Sequence, residues 1–254
     1  MSKRTIPTLI LLIMSALLMS SHIRPYLMPD GYALKFREEF NLYDYKTWSP
    51  NTYNSEGNAS IMTPEALSFD RSLLKITVDV NKDKQDSSAK SFTGGGLVSN
   101  TFYHHGKFSV RTKQDIKPGT VSSYFLMNAV KQGAESKLYE IEIKFLGKDG
   151  GQIQFIIQGD VAGKTIIQQD VYNLGFNFKK KFHDYTILWD KNSIAFYVDN
   201  RLAKQYEIAL TQPLQIGVNH WAVNENEIIK WAGALDPGSL PSTVYYDWIN
   251  YTPL

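Results

Sequence analysis

The chain has 254 residues, no cysteine, 27 basic against 25 acidic side chains for a net charge of +2, and 43% hydrophobic residues. A chain of this length buries a sizeable core in one large domain. Its scattered, nearly balanced charge excludes a nucleic-acid face, and the lack of cysteine excludes a disulfide framework and a lipid-modified cysteine.

At the N-terminus Lys3 and Arg4 precede an apolar run from Ile6 to Met19, followed by Ser20 and Ser21. This is the outline of a secretory signal peptide over residues 1–21, with an uncleaved anchor as the alternative. The run is shorter than the roughly 20 residues a helix needs to cross a bilayer. The expectation is a secreted or periplasmic protein with no membrane span in its mature form. Residues 22–30 hold Pro25 and Pro29 and read as an extended leader, and one domain is expected over 31–254.

Beyond the leader come short runs rich in Val, Ile, Phe and Tyr, bounded by Gly, Asn, Asp and Pro: "SLLKITVDV", "GKFSVRTK", "VSSYFLMNAV", "LYEIEIKFL", "GQIQFIIQG" and "TVYYDWINYT". No window sustains a helical stripe for more than about two turns. Gly94-Gly95-Gly96 lacks the Lys-Ser/Thr of a phosphate loop and is expected to form a turn. His104 and His105 would face opposite ways on a strand, so a surface turn is favoured over a metal site. Lys179-Lys180-Lys181 reads as a solvated turn. "HDYTILWDKNSIAFYVDNRLAKQYEI" reads as a three-strand meander with turns at "DKNS" and "VDNR". The sum is an all-β chain, a β-sandwich or jelly roll.

One strand carries charge in an unusual pattern. In "YEIEIKFLG", Ile141, Ile143 and Phe145 share a core face while Glu140, Glu142 and Lys144 share the other. "GQIQFIIQG" likewise turns Ile153, Phe155 and Ile157 inward and Gln152, Gln154 and Gln158 outward. An outer face of amides, carboxylates and aromatics suits sugars, which offer hydroxyls and flat C–H faces.

The stretch from Glu140 to Lys148 resembles the central strand of the glycoside hydrolase family 16 β-glucanases, and among them the bacterial lichenases, whose pattern is E-I-D-I-E-F-L-G-K. "VSSYF", "NLGF", "VNHW" and "YYDWINYT" resemble family segments in the same order. The resemblance implies a concanavalin A-like β-jelly-roll sandwich of two antiparallel sheets with a concave glycan cleft. It also implies a β-glucan or related polysaccharide as partner, a monomer, and no required cofactor. By position Glu140 corresponds to the nucleophile, Glu142 to the assisting carboxylate, and Lys144 replaces the acid/base glutamate. Tyr53 and Asn58 lie in "YNSEGN", which resembles a family loop that contacts sugars, and Trp221 sits where a family aromatic lines the cleft. Gln154, which faces outward, and Tyr139, which with Leu138 replaces a family aromatic and acid before the nucleophile, are further expected substrate contacts. Asp247 matches a ligand of the family's structural calcium site.

A retaining glycosidase needs two carboxyls roughly 5 Å apart, one to attack and one to pass the proton. A lysine, which ordinarily titrates near about 10.4, cannot do the second task while neighbouring carboxylates hold it as the ammonium. Two readings stand at this level. One is a polysaccharide-binding protein with lost or weakened hydrolysis; the other is an active endo-β-glucanase in which Glu142 or a loop acid donates the proton. The replacement of a family Glu- and Arg-bearing strand by "GGGLVS" favours the first. A surface interaction protein with no sugar role is the remaining alternative.

Overall fold

The computed structural model describes residues 35–53, 57–83, 90–132, 135–223 and 226–254. The signal-like run over 1–21, the leader over 22–30, and positions 54–56 of "YNSEGN" lie outside the described residues. The strands in chain order are β1 (Phe36–Glu38), β2 (Trp48–Pro50), β3 (Ser60–Met62), β4 (Leu67–Phe69), β5 (Leu74–Val80), β6 (Phe92–Tyr103), β7 (Gly106–Asp115) and β8 (Thr120–Gln132). They continue with β9 (Glu135–Leu146), β10 (Gln152–Val161), β11 (Lys164–Asn173), β12 (His183–Trp189), β13 (Ile194–Val198), β14 (Arg201–Tyr206), β15 (Leu214–Ala222) and β16 (Ser242–Pro253). A short α-helix, α1 (Asn226–Ala232), and a 3-10 turn (Pro237–Ser239) lie between β15 and β16.

The strands form two antiparallel layers. The first runs β11-β10-β9-β8-β15-β6 and the second β5-β16-β7-β12-β13-β14, joined where β5 meets β6 at Asp79–Thr93 and Val80–Phe92. Only the short β3 pairs in parallel, with β6, among the described strands. Period-two alternation builds the core between the layers. Ile141, Ile143 and Phe145 of β9 and Ile153, Phe155 and Ile157 of β10 are at most 1% exposed, as the sequence pattern requires. They meet Tyr185, Ile187, Ile194 and Phe196 from the second layer in one cluster. Phe155 stacks on Phe196 at 4.3 Å between ring centroids, and Phe145 meets Tyr185 edge-on at 5.0 Å. Each such side chain contributes about 1.5–3 kcal/mol of burial, so slipping β9 by one residue would expose the whole set.

The end of β9 is pinned as well. A Cβ on Gly147 would lie 1.6 Å from the Lys117 carbonyl oxygen, so only glycine fits, and its N–H donates to the Thr120 carbonyl at 2.9 Å. This contact fixes the register of β9 against β8, and with it which side chains face out.

The triglycine corrects the expected turn: Gly94, Gly95 and Gly96 lie within β6. Added Cβ atoms there would meet the His220 carbonyl oxygen at 2.7 Å, Ala66 Cβ at 2.9 Å and the Val218 carbonyl oxygen at 2.9 Å. Close approach of β15 and of the turn at Pro64–Ala66, not chain reversal, selects glycine. The meander is β12, β13 and β14, its second turn made by Asp199 and Asn200 with φ of 47° and 62°. His104 and His105 form the turn between β6 and β7, and Lys180 and Lys181 are exposed in the turn before β12.

Candidate active site

β9 lies between β8 and β10, so its outward residues occupy the middle of the first layer's outer face. Cross-strand pairing sets three rows: Met127, Glu140 and Gln158; Phe125, Glu142 and Ile156; Ser123, Lys144 and Gln154. The three charged side chains are therefore brought together on one face. Glu140 is partly exposed, whereas Glu142 is only 2% exposed.

Lys144 Nζ sits 2.9 Å from Glu142 Oε2 in an ion pair. No other partner reaches that oxygen among the described residues. The same ammonium lies over the Trp231 ring of α1, 5.5 Å from its centroid. Trp231 Nε1–H donates to Gln154 Oε1 at 3.1 Å, and Gln169 Nε2 of β11 donates to the same oxygen at 3.2 Å. The indole thus covers the Lys144 and Gln154 row. Beside it opens a cavity of about 290 Å³ lined in part by Gln152, Gln154, Val171, Lys148 and Trp231.

Burial disfavours the ammonium of Lys144, but the charges of Glu142 and Glu140 and the contact with Glu142 outweigh it and hold the proton more tightly than on an ordinary lysine. Glu140 is pushed up to about 8, first by burial and then by the charge of Glu142, with Lys144 pulling the other way. Tyr53 lies close enough to feel Glu140: burial first, then that carboxylate, raises its phenol. At neutral pH the face therefore presents a Glu142–Lys144 pair and a protonated Glu140.

The other sugar-contact expectations fare differently. Tyr139 points into the core, 4% exposed, because the alternation that turns Glu140 out turns its neighbour in. Gly159 leaves room for that ring, since a Cβ there would sit 2.8 Å from it. Asn58 is 4% exposed; its Oδ1 accepts from the Ser60 amide at 2.7 Å and its backbone bridges to Val223, so the side chain is spent on local structure. Trp221, 8% exposed, packs with Met62, Val121, Val223 and Ala232 beneath α1. Gln154 is on the outer face but 5% exposed and engaged by Trp231 and Gln169. Trp231 and Gln169 were not singled out from sequence, although Gly233, φ 92°, marks the helix stop just after Trp231.

Asp247 does not offer a free carboxylate for calcium. Its Oδ2 lies 3.2 Å from Arg111 Nε, while Arg111 Nη1 donates to Asp184 at 2.8 Å. No group of three or more His, Asp or Glu side chains converges among the described residues. A guanidinium therefore shares the carboxylate of Asp247.

The architecture is that of a jelly-roll glycanase, with a carboxylate-bearing strand central to the outer face. The chain belongs to glycosyl hydrolases family 16, whose family model matches residues 52–250. It is 33% identical over 230 residues to a beta-glucanase of Brevibacillus brevis, covering 89% of this chain and 84% of that one. Among solved structures it is similar to a beta-1,3-1,4-glucanase (lichenase) from a mouse hindgut metagenome, with TM-score 0.75 and 28% identity over 87% of this chain and all of the other. The Bacillus licheniformis beta-glucanase matches with TM-score 0.73 and 26% identity, covering 87% of this chain and 99% of that one.

Proposed function

We propose that this chain is an exported protein that binds β-glucan or a related polysaccharide on the Glu140 face and hydrolyses it far more slowly than an ordinary glucanase. The observation that carries the reading is the 2.9 Å Glu142–Lys144 ion pair at the position of the proton donor. An ammonium paired with the Glu142 carboxylate neither protonates a leaving oxygen at useful driving force nor takes a proton from water, and loss of that function alone is worth about 10²- to 10⁴-fold. Glu140 adds a second handicap. A nucleophile must be ionised, and this carboxyl is pushed up to about 8.

Support for a glycan partner comes from the relatives named as beta-glucanases and from the family itself. Export rests on the N-terminal basic and apolar pattern. The competing reading, an active retaining hydrolase with Glu140 as nucleophile and Glu142 as donor, is favoured by the same relatives, but it requires the buried, lysine-paired Glu142 to reach the leaving oxygen.

The test is to pass the mature chain through gels containing mixed-linkage β-glucan and to assay the same glucan for new reducing ends. Retarded migration without cleavage is expected. A glycosyl adduct trapped on Glu140 would instead establish the hydrolase, and no retardation on any β-glucan would remove the glycan partner.

A further inference from the structure

The first layer ends at β11, whose outer edge pairs with no described strand. The two terminal strands of the molecule are very unlike. β14 is six residues long, carries Arg201 and Lys204, and pairs with β13 through a register shift between Phe196 and Tyr197, all features that discourage edge pairing. β11 is ten residues long, pairs with β10 through ten successive residues without a shift, and contains no proline. Its outer face exposes Ile167 at 50% and Val171 at 56%. The inner face is fixed independently: Asp170 accepts from Tyr206 Oη at 2.5 Å and from Gln168 Nε2 at 2.8 Å, which braces β11 against β14. A long, regular, braced edge with apolar side chains in water is a template for another strand.

We propose that the outer edge of β11 pairs with the β11 edge of a second copy, antiparallel about a two-fold axis at Gln169. An axis perpendicular to the sheet keeps each residue on its own face, so the axis must pass through a residue and not between two. Among the three central positions Gln168, Gln169 and Asp170, the sequence favours one. Centred on Gln169, Ile167 meets Val171 twice, Gln169 meets Gln169, Gln168 meets Asp170 and Ile166 meets Tyr172; apolar faces apolar, and no like charges oppose. Centred on Gln168, Ile166 would face Asp170. Centred on Asp170, two carboxylates would face each other.

A ten-residue edge falls at the small end of specific interfaces, which bury roughly 1,200–2,000 Å² in stable complexes, so the dimer is reversible. It makes the two outer faces one continuous sheet, with the β9 strands five strand spacings apart, about 24 Å. If the Glu140 face binds glycan as proposed above, one long chain can then engage both copies and gain avidity; the interface itself does not depend on that reading.

Because the chain has no cysteine, single substitutions report the register cleanly. Sedimentation of the mature chain over a wide concentration range should show a monomer–dimer equilibrium. Gln169→Cys should form a symmetric disulfide on mild oxidation, since directly paired residues sit about 4.5–5.5 Å apart between Cα atoms, while Lys164→Cys should not. The double variant Ile167→Lys/Val171→Lys, at exposed positions, should be monomeric with an unchanged thermal midpoint. A monomer at every concentration with no cross-link at position 169 overturns the proposal, as does a dimer that survives the double lysine variant.

Discussion

Lys144 and Glu142, two positions apart on β9, close a 2.9 Å ion pair in which the ammonium side chain is 18% exposed and the carboxylate 3%. Exposed pairs of this kind are worth up to about 1 kcal/mol, but removing one partner of a buried pair leaves the other charge uncompensated. Lys144→Met should therefore cost about 3–5 kcal/mol in denaturant unfolding. The double variant Glu142→Gln/Lys144→Met should recover most of that loss. Equal stability of the two variants would mean that the pair is effectively solvated.

The raised Glu140 carboxyl predicts a pH signature. Its folded value, about 8, lies above its ordinary 4.5, so the folded state binds this proton better than the unfolded chain. The contribution is complete below about pH 4.5 and is lost as pH rises through about 8. Stability of the wild type relative to Glu140→Gln should fall across that window. Parallel pH profiles for the two proteins would show that Glu140 titrates normally.

His220 predicts the opposite slope. Its Nδ1–H donates to the Val121 carbonyl at 3.0 Å, and Nε2 lies 3.0 Å from Ser242 Oγ. Complete burial lowers it to about 4, with the hydrogen bonds pulling back part of the way. The unfolded chain takes up the proton near 6.5 and the folded chain only near 4, so stability is lost as pH falls between those values, by about 3 kcal/mol in all. His220→Gln should start from lower stability and lose less over the same interval.

Gly147→Ala tests the pin at the end of β9. With the Lys117 carbonyl oxygen 1.6 Å from the new Cβ, the backbone must move, and the loss should exceed the roughly 1–3 kcal/mol of ordinary overpacking. A thermal midpoint equal to wild type would show that β9 tolerates the shift.

Much of this was legible in the sequence, and the rest failed for specific reasons. The core face of β9 and β10 follows from alternation alone, because period two leaves no other way to bury Ile141, Ile143 and Phe145. The protonated state of Lys144 follows from carboxylates two and four positions earlier. The displaced proton of Glu140 does not, since desolvation depends on what the fold stacks around a residue. Tyr139 was expected at the sugar because it adjoins the nucleophile position, against the alternation that turns it inward. The triglycine looked like a turn because its packing partners, Ala66, Val218 and His220, are distant in sequence. α1 spans only Asn226–Ala232, too short for a periodic signal, and so Trp231 stayed hidden.

The most direct test of the central claim is the release of reducing ends from mixed-linkage β-glucan at neutral pH by the wild type and by Lys144→Glu, measured side by side. Restoring a carboxyl at the donor position should raise the rate from near background by at least about 10²-fold. Robust cleavage by the wild type that falls on making Lys144→Glu would contradict the account, because the lysine would then belong to a working site.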